Sequence, residues 1–186
     1  MKTLSILALA TLGLVAACEL PADTLDFDRE EIARFKATTV AAPPANPARL
    51  KIMAWNVKYG AGRIDFWFDF WGDETQMTVE QVEGNMERIY ELIRQYDPDV
   101  LITSEIEVNS KRSAYYDMVR GILENTKLNY ATYVQTWNGR YVPSEGVGRI
   151  DLGNAIFSKY EITKAERIRQ VDRTDQDPAT SYFYIH

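Results

Sequence analysis

Residues 50–57, LKIMAWNV, form a nearly continuous apolar run that predicts a short buried strand ending in the polar amide of Asn56. From Thr78 the pattern changes period. Val79, Val82, Met86, Ile89, Ile93 and Tyr96 recur at steps of three and four, which predicts a helix. Thr78 with Gln81 forms a capping-box signature at its start, and Asp97-Pro98 marks its stop. The next apolar run, DVLITSE, ends in an acid, Glu105. Strand, helix and strand of these lengths predict a right-handed crossover between parallel neighbours, which puts Asn56 and Glu105 at the carboxyl ends of both strands. Ligands of α/β proteins bind along that edge. A second helix is predicted from about Arg112 to Asn125 with Tyr115, Val119 and Ile122 on one face. Further strands are predicted at Tyr130–Thr136 and Gly153–Ser158, and a last one from Tyr182. The fold class is α/β with a mixed sheet.

The N-terminal pattern has another purpose. Lys2 precedes an apolar and small-residue stretch from Leu4 to Ala17, too short to span a bilayer and suited to a secretory signal. It ends in Val15-Ala16-Ala17-Cys18, which resembles a bacterial lipobox, and Cys18 is the single cysteine of the chain. The expected organisation is a lipoprotein signal peptide over 1–17, a lipid-anchored tether over 18–49 and a folded domain over 50–186. Pro43, Pro44 and Pro47 favour extended chain in the tether, with a short helix around Asp28–Ala37. The location implied is the bacterial cell envelope, on a periplasmic or extracellular membrane surface.

A length of 186 residues, with 46% hydrophobic and 26% charged, fits one globular domain. The net charge of -6 would become -7 once Lys2 leaves with the signal peptide. Such a balance does not favour nucleic acid as a partner, because generic binding draws on cationic contacts to phosphates. No protein partner is inferred.

Three stretches, AWNVKYG, PDVLITSEIEVNSKRS and LGNAIFSKYEI, occur in an order and spacing that together resemble the N-terminal half of the endonuclease/exonuclease/phosphatase superfamily, the DNase I-like metal-dependent phosphodiesterases. The resemblance implies the first half of a four-layer αββα sandwich, with two helices on one face of its sheet. It also implies hydrolysis of a phosphodiester or phosphomonoester by water attack on phosphorus, with Mg²⁺, or Mn²⁺ in its place. Asn56 matches the family's catalytic asparagine, Glu105 its metal-binding glutamate and Asn154 a position near the phosphate. A hard cation such as Mg²⁺ prefers carboxylate oxygen and keeps several waters, so one or two acids suffice. Glu107 is read as a solvated acid beside the metal position, and Lys111 and Arg112 as a solvated helix start.

Two departures stand out. Lys58 occupies the place where abasic-site nucleases of the family carry an acid. The family's catalytic histidine, Asp-x-Asn pair and terminal Asp-His pair belong to its C-terminal half, and the only histidine here is His186. A truncated or split chain is therefore expected, and the alternative is a non-catalytic lipoprotein that uses half the scaffold as a binding or structural module. The aromatic run Phe66–Trp71 is read either as core or as a lipid-facing rim.

Overall fold

The structure, a computed structural model, describes residues 29–45, 48–66, 72–142 and 148–168. Cys18, the last expected strand from Tyr182, His186 and the aromatic positions 67–71 lie outside the described residues. In chain order the elements are β1 (Arg29–Glu31), β2 (Arg34–Lys36), β3 (Ile52–Asn56), α1 (Val79–Tyr96), β4 (Val100–Glu107), α2 (Met118–Asn125), β5 (Tyr130–Val142), β6 (Gly148–Ser158) and β7 (Glu166–Ile168). Five strands make a mixed sheet in the order β2-β5-β6-β4-β3, and β1 pairs with β7 in a separate two-stranded sheet. The α/β class with a mixed sheet is therefore observed.

The helix expected after Thr78 forms as written in the sequence. Gln81 N donates to Thr78 Oγ1 (3.2 Å) while Thr78 N donates to Gln81 Oε1 (2.8 Å), so each end of the capping box satisfies a backbone donor of the first turn. Asp97 closes the helix in the left-handed conformation, its N–H bonded to Ile93 O (2.8 Å). Val82, Met86, Ile89, Tyr90 and Ile93 are buried, whereas Val79 and Tyr96, at the two ends of the stripe, are exposed. The buried stripe meets Leu101, Phe157 and Ala131 of the sheet and Met118, Val119, Ile122 and Leu123 of α2 in one core. Both helices thus contribute to the core on a single face of the sheet.

Two expectations of local structure are corrected. The short helix around Asp28–Ala37 is absent over its described part, where β1 and β2 stand instead. Arg34, Phe35 and Lys36 pair antiparallel with Thr132, Ala131 and Tyr130, which places part of the expected tether at the edge of the main sheet. The helix expected from Arg112 begins only at Met118. Ala114 and Tyr115 have positive φ (53° and 59°), which ends a single 3-10 turn over Lys111–Ser113, and Asp117 then caps α2 by accepting from Arg120 N (2.8 Å). Val119 and Ile122 face the core as expected, but Tyr115 is exposed.

The crossover β3-α1-β4 yields the expected parallel pair, in register from Ile52 opposite Val100 to Asn56 opposite Ser104. β4 also pairs antiparallel with β6, so the two site-bearing strands are joined to the rest of the sheet through β6. Ile52 (61%), Ile102 (42%) and Ile156 (44%) remain exposed, and Ile102 lies opposite Ile156 in the ladder.

Two glycines test this packing in opposite directions. A Cβ on Gly84, exposed in α1, meets nothing within 4 Å, so Gly84→Ala should stabilise by about 0.5–1 kcal/mol through helix propensity. On Gly153 of β6 it would lie 2.1 Å from Val134 O, so Gly153→Ala should destabilise by about 1–3 kcal/mol. Chemical denaturation of the two variants checks both signs.

Candidate active site

Asn56 ends β3 because the chain leaves the ladder immediately after it. Val57 N still donates to Ser104 O (3.0 Å), and then Lys58, Tyr59 and Gly60 all take positive φ, at 45°, 43° and 70°. Left-handed backbone costs about 1–2 kcal/mol at each non-glycine residue, so this turn must be held from outside. Asn85 of α1 does part of this, donating from Nδ2 to both Gly60 O and Ala61 O (3.0 Å each). Tyr59 is buried, with its ring edge-on to Phe66 at a centroid distance of 5.1 Å. Phe66 is itself fully buried, so the first ring of the aromatic run belongs to the core.

The turn fixes the Asn56 amide. Lys58 N donates to Asn56 Oδ1 (2.8 Å), and Asn56 Nδ2 donates to Glu105 Oε1 (2.8 Å). Exchanging the amide oxygen and nitrogen would set donor against donor and acceptor against acceptor, so only one orientation satisfies both neighbours. The Lys58 side chain turns inward and its Nζ donates to Ile64 O (3.2 Å).

Glu105 does not end β4, as the apolar pattern implied; the strand runs on to Glu107 through a bulge. Thr103 lies opposite Ala155 and Ile106 opposite Gly153, so Ser104 and Glu105 together face the single residue Asn154 of β6. Strict alternation would put Glu105 on the same face as the buried Thr103. The extra residue returns Ile106 to the core, fully buried, and leaves Glu105 half-buried at the edge with φ of 55°. Asn154 is exposed across from this bulge. Asn56, Ser104 with Glu105, and Asn154 therefore occupy one level on three neighbouring strands. The outer two are separated by two strand spacings, roughly 10 Å.

The structure corrects the reading of Glu107 and Arg112 as solvated. Glu107 is fully buried, and its Oε1 accepts from Arg112 Nε (2.7 Å) with Nη2 at 2.6 Å. Burial pushes the Glu107 carboxyl above the usual carboxylate range, and the Arg112 guanidinium opposes that shift. The guanidinium also lies over the Tyr59 ring, 3.9 Å from its centroid. Sequence reasoning missed this group because a charged NSKRS stretch has the composition of a solvated loop. The available signal was Tyr59 and Gly60, three and four residues after Asn56, an aromatic and a glycine in a tight turn.

A second buried polar group sits on the core side of β5 and β6. Asp151 Oδ1 accepts from Tyr133 Oη (2.7 Å) and Gln135 Nε2 (2.9 Å), and Asp151 N donates to Ser110 Oγ (2.7 Å). Burial and the Asp151 charge drive the Tyr133 phenol far upward, so it remains a proton donor.

Among the described residues no group of three or more His, Cys, Asp and Glu side chains is placed to hold a metal. A lone edge carboxylate such as Glu105 fits a hard, mostly hydrated cation. Residues 53–183 match the model of the Endonuclease/Exonuclease/phosphatase family, well over half of the chain. No match was found among curated proteins or among solved structures.

The two glutamates should separate cleanly in stability measurements. Glu107→Gln removes the partner of a buried guanidinium and should cost about 3–5 kcal/mol. Glu105→Gln, at the half-buried edge, should leave the denaturation midpoint nearly unchanged. Equal midpoints for the two variants would contradict the burial assigned to Glu107.

Proposed function

The chain belongs to the endonuclease/exonuclease/phosphatase family, and on that premise we propose that it supplies the metal-binding part of a longer enzyme that hydrolyses a phosphate ester with Mg²⁺, or Mn²⁺ as a substitute, by attack of water on phosphorus. The observation that carries this reading is the hydrogen bond between Asn56 and Glu105 at the carboxyl edge of two parallel strands. Glu105 would hold the metal. Its Oε1 is oriented by Asn56, which leaves Oε2 to face a cation. When bound, the metal supplies charge that offsets the negative charge developing on the phosphoryl oxygens.

Asn56 contributes twice in this reading. One Nδ2 hydrogen steadies the carboxylate, and the other can donate to a phosphate oxygen without adding a competing charge. Asn154, on the far side of the bulge, is suited to a further hydrogen bond to the substrate. The substrate class is a phosphate ester. Acidic net charge argues against a generic nucleic-acid grip, and the lipobox-like Val15–Cys18 supports an enzyme anchored by lipid to a membrane of the bacterial envelope. No helix among the described residues is long and apolar enough to cross a membrane.

The test uses the chain joined to a C-terminal half that carries the family's catalytic residues, with bis(p-nitrophenyl) phosphate and p-nitrophenyl phosphate as substrates. Hydrolysis should stop with EDTA and return with Mg²⁺ or Mn²⁺. Glu105→Gln should lower kcat/KM more than about 100-fold, since a metal's electrostatic help is worth several kcal/mol. Asn56→Ala should cost about 10²–10³ in kcat. Absence of metal-dependent hydrolysis of either ester, with the family's C-terminal catalytic residues supplied, would overturn the proposal in favour of the non-catalytic lipoprotein.

A further inference from the structure

The Asn56–Glu105 pair depends on two segments that have already left regular structure. Beyond Val57 and Ser104 the backbone ladder between β3 and β4 ends, one segment entering the left-handed turn and the other the bulge. One buried side chain spans both continuations. Arg112 bonds Glu107, two residues past Glu105, and covers the ring of Tyr59, three residues past Asn56. Its own carbonyl accepts from Met77 N (2.8 Å), just ahead of the N-cap of α1.

We propose that Arg112 is a positioning residue that sets the alignment of Asn56 with Glu105. The inference rests on those two residues being the reactive pair, but the alignment itself is testable without any activity. The chemistry requires a guanidinium. Its nitrogens bind the carboxylate while its central carbon lies over the aromatic ring, two contacts that a lysine ammonium cannot make together. Arg112 thereby fixes how far the bulge of β4 stands from the turn after β3. Both are backbone conformations that would relax if they were released. The bulge determines where Glu105 presents its carboxylate, and the turn determines where Lys58 N meets Asn56 Oδ1.

The experiment compares the full chain with Arg112→Lys and with the double variant Glu107→Leu/Arg112→Met. Three quantities are read: the thermal midpoint, the side-chain amide resonances of Asn56 in a ¹⁵N-labelled sample, and Mn²⁺ affinity by calorimetry. Replacing both buried charges by apolar groups should keep the midpoint near that of the parent, because a buried ion pair gives little net stability. The Asn56 amide resonances should nevertheless move, and Mn²⁺ affinity should fall about 10–100-fold, the usual cost of losing an outer support of a metal ligand. Arg112→Lys should shift the same resonances in the same direction. If the double variant does not fold, Arg112→Lys decides the matter alone. Unmoved Asn56 resonances in a folded variant would overturn the proposal, whatever the metal does. A parent chain that binds no Mn²⁺ would count against the metal reading of Glu105, while shifted Asn56 resonances would still support the role of Arg112.

Discussion

The register of one parallel strand pair governs the carboxyl edge of this sheet. Asn56 lies opposite Ser104, and with one residue more, Glu105 comes within hydrogen-bond reach of the amide. A slip by one position would turn Met53 and Trp55 from the core to the open face and carry Asn56 the other way. The register is therefore held by apolar burial along the whole crossover. Val82, Met86, Ile89 and Ile93 on α1 share one core with Met53 and Trp55 of β3 and Leu101 and Ile106 of β4, so site geometry and core packing share one constraint. The same coupling explains why polar residues can stand at the edge at all: the apolar residues behind them supply the stability.

How much of this could be read in the sequence follows from what each feature depends on. The period of α1, its Thr78–Gln81 box and its Asp97-Pro98 stop are local properties, and they appear where the pattern puts them. The parallel pairing of β3 with β4 was legible because strand–helix–strand of these lengths leaves few alternatives. The bulge was not. An apolar run carries no mark of one extra residue, since the bulge is defined only against β6, which lies some fifty residues away in sequence. Arg112 was missed for a related reason. Its burial requires Glu107 and Tyr59, which adjoin it only after folding. The start of α2 was misplaced because Ala114 and Tyr115 adopt left-handed backbone that their side chains do not advertise.

Part of the backbone strain lies where the chemistry is proposed. Lys58, Tyr59 and Glu105 are non-glycine residues with positive φ, and all three lie within three residues of the Asn56–Glu105 hydrogen bond or take part in it. Such conformations persist when their surroundings over-determine them, and here the determinants are identifiable. Asn85 fixes the end of the turn, Tyr59 is clasped between Phe66 and Arg112, and the core residue Ile106 anchors the far side of the bulge. The result is a pair of polar side chains held in place before any ligand arrives. Preorganisation of that kind is what lowers the cost of binding a charged group.

The open face of the sheet adds a further constraint on the site. Ile52, Ala54 and Asn56 alternate outward along β3, while Ile102 of β4 and Ile156 and Asn154 of β6 share that face. Apolar side chains thus adjoin the polar row along its inner side. Ile52, Ile102 and Ile156 form the exposed apolar part of that face. Whatever packs on Ile52, Ile102 and Ile156 and reaches as far as Asn154 would have to offer its amide a hydrogen bond, because a polar group buried without one costs free energy. The polar row is therefore a natural boundary. Solvent has access at the carboxyl edge, where Asn56 and Asn154 are exposed.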